Sequence, residues 1–174
     1  MISLFDTHEL HNKMDESQID YFGKQLLSRE LYKLLNSRPD QDISDVWDQL
    51  GPLKINSDLL RVLRDETRSL EFGSMTGKEG QMTYEYTGQL LKGKPAGIGR
   101  CFFHAVESLF NTNLRFPEHL YEGQFENGKR SGYGRWISSN NSYYIGMWKA
   151  GEYDGHGKEV KFYEWHKLPK ILQG

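Results

Sequence analysis

The chain has 174 residues, a formal net charge of −2 at pH 7, and one cysteine, Cys101. Recognition of nucleic acid through its phosphates usually shows as a strongly basic stripe, and the sequence has none, which disfavours a nucleic-acid binder. The lone cysteine excludes an intramolecular disulfide and suits a reducing compartment. No apolar stretch approaches the length of about 18 residues typical of a membrane span, and no leader pattern opens the sequence. We therefore expect a cytosolic or cytoskeletal protein.

The periodicity of apolar residues predicts that residues 1–75 form a helical N-terminal segment. Asp15-Glu-Ser-Gln18 matches a capping box, in which the Asp side chain caps the helix and Gln stands at the third helical position. Apolar residues then recur at steps of three and four from Ile19 to Leu35, on one face of a helix. The pattern predicts one helix that ends before Pro39.

Two further helices are predicted before residue 75. One covers Ser44 to Leu50, and the other begins at Asn56 or Ser57 and carries apolar residues as far as Leu70. Helices this short need a surface to pack on, so we expect either a cap folded onto the first hairpin or onto itself, or a docking arm for a partner. The Met1–Met14 lead-in is the part expected to order only in a complex.

The sequence after Met75 contains 15 of the 18 glycines, and their placement follows a rule. Three segments, 86–99, 121–134 and 144–157, read aromatic, +2 Gly, +4 bulky apolar, +7 Gly, +11 Gly and +13 Gly. We number these repeats 1 to 3. Self-similarity on this scale predicts a repeat architecture. The glycines predicted to be structural are Gly88, Gly97, Gly99, Gly123, Gly132, Gly134, Gly146, Gly155 and Gly157.

Each repeat is predicted to be a β-hairpin. Asn127-Gly128 is a strong signal for a two-residue turn, because both central residues need positive φ, and Lys92-Gly93 and Ala150-Gly151 stand at the same place. Counting outward from the turn pairs Phe125 with Arg130, Gly123 with Gly132 and Tyr121 with Gly134. The same count sets Tyr86 opposite Gly99 and Tyr144 opposite Gly157. The glycines are then explained by the space that the tyrosine rings need, since a ring can lie flat over a strand residue that has no Cβ.

The sequence Tyr-Glu-Gly-Gln-Phe-Glu-Asn-Gly-Lys-Arg-Ser-Gly-Tyr-Gly at 121–134 resembles a MORN (membrane occupation and recognition nexus) repeat, and repeats 1 and 3 resemble it with substitutions. The resemblance covers roughly residues 84–160. The step from Tyr121 to Tyr144 is 23 residues, but that from Tyr86 to Tyr121 is 35. We therefore expect an insertion at about 101–120.

The helical periodicity of the first part and the resemblance of the second together predict an α+β chain in three parts. These are the helical segment 1–75, an open antiparallel sheet of consecutive hairpins over 76–160, and a C-terminal cap or tail over 161–174.

No residue pattern points to catalysis, a metal or a cofactor. Gly73-Ser-Met-Thr-Gly77-Lys78-Glu79 has Glu79 where a P-loop needs Ser or Thr. Of the six histidines only His8 and His11 are close in sequence, and nothing near them completes a ligand set. Cys101 lacks a local nucleophile signature and is expected to be a buried or half-buried thiol. We expect a protein that is not an enzyme.

The tyrosine face of the sheet is the predicted partner-binding surface. Aromatic side chains dominate protein–protein hot spots, and six residues should line up along this face. They are Tyr86, Leu90, Tyr121, Phe125, Tyr144 and Trp148. Two outcomes stay open: a partner covers this face, or the chain's own helices or Phe162-Tyr163 and Trp165 do.

The opposite face carries six positive and five negative side chains, whereas anionic-lipid recognition needs several basic residues without offsetting acids. The resemblance implies a non-catalytic scaffold or adaptor subunit that binds other protein subunits, in a eukaryotic cytoskeletal or ciliary (axonemal) assembly. The alternative it implies is a peripheral phosphoinositide-binding module. Self-association stays open.

Overall fold

The computed structural model describes residues 14–41, 43, 45–105 and 118–162. Within these residues four helices come first and seven strands follow. The helices are α1 (Glu16–Leu26), α2 (Arg29–Asn36), α3 (Val46–Leu50) and α4 (Ser57–Leu63). The strands are β1 (Glu71–Glu79), β2 (Met82–Leu91), β3 (Lys94–Ala105), β4 (His119–Glu126), β5 (Lys129–Ser138), β6 (Tyr143–Lys149) and β7 (Glu152–Val160).

The capping box at the start of α1 is confirmed. Asp15 Oδ1 accepts from the Gln18 amide at 2.9 Å, and Gln18 Oε1 accepts from the Asp15 amide at 3.0 Å. The prediction of one helix as far as Leu35 is wrong, because the chain becomes extended at Leu27. Ser28 then caps α2, its Oγ accepting from the Leu31 amide at 3.2 Å. A serine that can satisfy free amides favours a new helix start over a helix interior.

The second and third predicted helices exist but are shorter than expected. Helix α3 ends at Leu50 and is followed by Gly51 with φ 71°, and α4 is capped by Asn56 as predicted. Leu70 lies outside α4, which ends at Leu63. Strand β1 begins at Glu71, so the predicted limit of the helical segment at residue 75 falls inside a strand that the sequence analysis missed.

The strands form one seven-stranded antiparallel sheet in chain order, as the predicted α+β architecture of consecutive hairpins requires. Strand β1 occupies the place that the second strand of a repeat would have. Its Gly73 pairs with Gly88 of β2 in the way that Gly99 of β3 pairs with Gly123 of β4. The sheet therefore holds three and a half repeat units.

The predicted turns are confirmed. Positive φ occurs at both turn residues of each repeat: Lys92 and Gly93 at 50° and 75°, Asn127 and Gly128 at 50° and 81°, and Ala150 and Gly151 at 50° and 91°. Beyond the turn the strands do not keep the counted register, because the ladder is irregular at the same place in every repeat. The irregularity coincides with the +11 glycine, a residue in the left-handed region in each repeat (Gly97, Gly132 and Gly155).

Because of this bulge, the observed pairing differs from the predicted pairing by two residues. Gly123 pairs with Gly134 and not with Gly132, and Tyr121 pairs with Trp136. Repeats 1 and 3 shift likewise: Tyr86 pairs with Cys101 and not Gly99, and Tyr144 with Glu159 and not Gly157. A shift of two residues keeps every side chain on its predicted face, because side chains alternate with period two.

The four helices cover the face of the sheet opposite the repeat tyrosines. Leu31, Leu35, Leu59 and Leu60 are fully buried in a cluster that reaches Ile98 of β3. A second cluster joins the α3 region to β3, β4 and β5 and contains Ile43, Val46, Trp47, Phe102, Leu120 and Ile137. The described helices are thus a cap on the sheet, the first of the two alternatives. The Met1–Met14 lead-in lies outside the described residues except for Met14.

The predicted insertion is partly sheet. Strand β3 continues to Ala105 and β4 begins at His119, so both ends of the interval 101–120 are paired strand. The remainder, 106–117, lies outside the described residues.

Candidate interaction face of the sheet

Each repeat tyrosine leans over a glycine of its own hairpin. A Cβ placed on Gly99, Gly134 or Gly157 would lie 2.4, 2.2 or 2.3 Å from the hydroxyl oxygen of Tyr86, Tyr121 or Tyr144. Each hydroxyl donates to the carbonyl three residues ahead, at Gln89, Gln124 or Met147, over 2.6, 2.9 and 3.0 Å. The expectation of rings over bare backbone is therefore confirmed, although the glycine is two residues from the tyrosine's partner.

The rings continue from one repeat to the next. Phe125 makes edge-on contacts with Tyr86 at 4.9 Å and with Tyr121 at 5.1 Å between ring centroids. Trp148 does the same with Tyr121 at 5.1 Å and Tyr144 at 5.4 Å. Edge-to-face pairs at such distances stabilise beyond the area that they bury, so the predicted alignment of aromatics is confirmed as one continuous row.

The sheet curls around this row. Arg130 Nη2 of β5 donates to Glu79 Oε1 of β1 at 2.6 Å and to the Gly151 carbonyl at 2.8 Å. Four strand spacings would separate β1 and β5 by about 19 Å in a flat sheet. Two side chains bridge that gap only if the sheet is strongly curved, so the tyrosine face is concave and the Glu79–Arg130 pair crosses it.

Curvature explains the burial of the predicted site. Five of the six residues, Tyr86, Tyr121, Phe125, Tyr144 and Trp148, are 0–5% exposed, and Leu90 is half-buried. The partly buried side chains packed against them all come from strands: Met75, Met82, Tyr84, Leu90 and Trp136. Within the described residues the helices do not pack on this face. Phe162 is 51% exposed, and Tyr163 and Trp165 lie outside the described residues. Binding of a partner by the six residues stays a prediction.

Comparison with known protein families matches the MORN repeat at residues 86–104, 121–143 and 144–161. The chain contains three MORN repeats. The matched segments hold 19, 23 and 18 residues, 60 of the 174. MORN repeats are in general modules for interaction with proteins or membranes. No curated protein matches the chain significantly.

One cation lies in the concave face of the MORN sheet. The Arg130 guanidinium stands 5.0, 4.8 and 5.2 Å from the ring centroids of Phe103, Trp136 and Trp148. A guanidinium over desolvated aromatic faces is stabilised by the ring quadrupoles, and Glu79 supplies the opposite charge. The positive charge of Arg130 is therefore compensated within the face, by Glu79 and by the three aromatic rings.

Other titratable groups here are held neutral. Burial raises the pKa of the Cys101 thiol and of the Tyr86 and Tyr121 hydroxyls far above their usual ranges. Burial, and secondarily the Arg130 charge, lowers the pKa of His119 to about 4. The His119 ring stacks on Trp136 with centroids 4.6 Å apart. Cys101 is 2% exposed, which confirms the expected buried thiol.

The helix-covered face of the MORN sheet holds a buried ionic cluster that the sequence analysis took for ordinary surface charge. Glu122 is fully buried, and its two oxygens accept from Arg100 Nε and Arg135 Nε at 2.7 Å each. Trp47 Nε1 donates to the same carboxylate at 3.2 Å, and Arg100 Nη2 donates to the Ser37 carbonyl at 2.7 Å. The cluster therefore ties the cap to the sheet. The sequence signal that could have indicated this cluster is the basic residue that recurs 14 positions after each repeat tyrosine.

The described residues contain no group of three or more His, Cys, Asp or Glu side chains placed to hold a metal ion. None of the described helices is long and apolar enough to cross a membrane.

Proposed function

We propose that the protein is a non-catalytic scaffold or adaptor subunit that binds a protein partner through the concave face of its MORN sheet. The observation that supports this most directly is the allocation of the two sheet faces. The described helices are packed against one face, and the row of aromatics lies on the other, where the described residues packed around it all come from strands. A face rich in aromatic side chains that none of the described helices covers suits a polypeptide partner.

A partner would first contact the rim of the concave face. Tyr153 of β7 is 48% exposed and stacks on Tyr144 at 3.8 Å, and Leu90, Tyr84 and Trp136 are half-buried. The five buried residues of the predicted site would act beneath this rim. They hold the rim aromatics in fixed positions, which lowers the entropy lost on binding.

Direct contact with the buried row would require the Glu79–Arg130 pair to separate. The Glu79 side chain is 53% exposed, whereas the Arg130 side chain is 10% exposed. An ion pair with one solvated partner contributes little to stability, so a partner's carboxylate could take the place of Glu79. We therefore expect a partner segment that is apolar and carries an acidic group.

The charges of the sheet favour a protein over an anionic lipid. Arg130 is turned into the concave face toward Glu79, and Arg100 and Arg135 are buried against Glu122. These three guanidiniums are withdrawn from any lipid surface, although lipid recognition depends on several accessible basic groups. A cytoskeletal or ciliary assembly is proposed from the MORN resemblance alone, since such arrays occur in structural proteins of cilia and the cortical cytoskeleton.

The test uses the tagged full chain and lysate from ciliated cells, with captured proteins quantified by mass spectrometry. The face variants are Tyr153→Ala and Leu90→Ala. The matched control is Tyr21→Ala, which removes the same type of side chain from α1, where it is 71% exposed and far in sequence from the sheet. We expect an axonemal or cytoskeletal protein that the wild type and Tyr21→Ala capture and that both face variants lose.

Equal capture by the face variants and the control would contradict binding through the concave face. Flotation with vesicles containing anionic lipid, lost at high salt and unaffected by Tyr153→Ala, would instead support the lipid alternative.

A further inference from the structure

Strand β7 ends the described sheet with a free edge. It pairs with β6 on one side only, and residues 152–159 are exposed. The outer edge of such a strand presents unpaired backbone N–H and C=O groups, which can take up one more strand. The internal junctions of the same sheet show what kind of strand would fit.

Two junctions between consecutive repeats share one register. Gly99 pairs with Gly123 where β3 meets β4, and Gly134 pairs with Gly146 where β5 meets β6. Gly157 of β7 holds the place of Gly99 and Gly134. Two residues earlier, Gly97 and Gly132 stand opposite Phe125 and Trp148, and Gly155 of β7 holds that place. The edge of β7 thus repeats the backbone pattern that elsewhere receives an aromatic-x-Gly-x-aromatic strand.

The second aromatic of each incoming strand covers the tyrosine of the preceding repeat. Phe125 contacts Tyr86 at 4.9 Å, and Trp148 contacts Tyr121 at 5.1 Å. Within the described residues no later repeat covers Tyr144. Tyr153 of the same hairpin covers it in part, with the two rings stacked at 3.8 Å, and Tyr153 is still 48% exposed. Tyr153 is therefore an internal substitute that an incoming ring can displace.

The charged residues at the edge of β7 further restrict which sequence an incoming strand can have. Arg100 stands opposite Glu122 across the junction of β3 and β4. Lys158 holds the place of Arg100 on β7 and is exposed. An acidic residue immediately before the glycine of the incoming strand would pair with Lys158 as Glu122 pairs with Arg100.

We propose that the outer edge of β7 binds, by antiparallel strand addition, a segment of another protein with the sequence aromatic-acidic-Gly-x-aromatic. Its glycine lies opposite Gly157, its acidic residue opposite Lys158, and its second aromatic opposite Gly155 and against Tyr144. The described residues hold no free strand of that type. Its own strands with the motif glycine, β2, β4 and β6, are paired on both sides, and residues 1–13, 106–117 and 163–173 contain no glycine. These observations favour a segment of a different protein as the occupant.

The probe is a synthetic peptide with the sequence of residues 119–126, His-Leu-Tyr-Glu-Gly-Gln-Phe-Glu, blocked at both ends and titrated into the full chain. Amide hydrogen exchange followed by NMR is the readout. We expect slowed exchange at alternate residues of β7, those whose N–H groups point away from β6. Affinity should rise in Tyr153→Ala, because the substitute ring is gone.

Charge reversal supplies the matched control. Replacing the peptide's first Glu by Lys should weaken binding several-fold, and Lys158→Glu in the protein should restore the binding of that reversed peptide. Lys158 is exposed, so its variants should fold normally.

Each of four results would overturn the proposal: no protection of β7 amides, equal binding of both peptides to the wild type, weaker binding by Tyr153→Ala, or protection of β7 that rises with protein concentration without peptide. The last would identify a second copy as the occupant. Perturbation of concave-face residues with β7 unchanged would count against strand addition and leave the proposed partner face intact, so the two proposals can fail separately.

Discussion

The ring of Tyr121 lies over Gly134, although its cross-strand partner is Trp136. A Cβ on Gly134 would stand 2.2 Å from the tyrosine Oη and 2.5 Å from its Cζ. The lean is fixed from the other end by the hydrogen bond from Oη to the Gln124 carbonyl at 2.9 Å. The same arrangement in all three repeats makes the tyrosine–glycine contact the unit from which the concave face is built.

Gly134→Ala should destabilise the protein by about 1–3 kcal/mol, the usual range for overpacking a filled site. Gly134 carries no left-handed φ, so steric conflict with the Tyr121 ring is the expected cause. Urea denaturation of Gly134→Ala, Tyr121→Ala and the double variant would measure the coupling. We expect the glycine change to cost clearly less once the ring is gone. Strictly additive losses would show that the ring is not what the glycine accommodates.

Glu122→Gln should destabilise the protein by about 3–5 kcal/mol, because it leaves two buried guanidiniums without their shared counter-charge. Chemical denaturation would measure this loss. Glu126→Gln, an exposed change on the same strand, is the control and should cost little. A Glu122→Gln variant as stable as this control would mean that water reaches and solvates the arginines.

The turn residue Ala150 adopts φ 50° without a side chain suited to that region. Asn tolerates left-handed backbone better than other non-glycine residues, and Asn127 fills the same turn position in repeat 2. Ala150→Asn should therefore stabilise the protein by up to about 1 kcal/mol, and Asn127→Ala should destabilise it by a similar amount. Thermal unfolding of both variants would check the opposite signs, and changes of equal sign would contradict this account.

Acid should weaken the fold through His119. Its pKa is lowered from 6.5 to about 4, so between these pH values the unfolded chain binds a proton that the folded protein does not. Stability from this group is then fully present above pH 6.5 and is lost as the pH falls toward 4. His119→Phe keeps a ring to stack on Trp136 and removes the titration. Denaturation at pH 7.5 and pH 5 should show a smaller difference for this variant than for the wild type, and an equal difference would exclude His119 as the cause.

The repeat units were predictable because each depends on local rules. Turns such as Asn127-Gly128 need positive φ, and alternation sets the face of every strand residue, so turn positions and the aromatic row follow from the sequence. The register does not follow from counting. A left-handed glycine such as Gly132 adds a bulge, and the sequence alone does not separate a bulge glycine from a ladder glycine.

The covering of the two faces depends on non-local packing. Strand β1 carries Gly73 in repeat register but lacks the preceding hairpin strand, so its pattern is incomplete in sequence. The pairing of Glu122 with Arg100 and Arg135 joins three strands, and the Glu79–Arg130 pair joins residues 51 positions apart across a curved sheet. Such contacts arise from curvature and cap placement, which no short window of residues encodes.

Among the described residues, Glu122 is the fully buried carboxylate of the sheet, and helix α3 contacts it through Trp47 Nε1. The hairpins resemble one another closely enough that a cap guided by shape alone could settle one unit further along. A buried acid flanked by arginines on both neighbouring strands fixes the position of the cap along the sheet, because the cap can contact that acid at one repeat only. Lengthening the array beyond β7 would therefore leave the cap where it is.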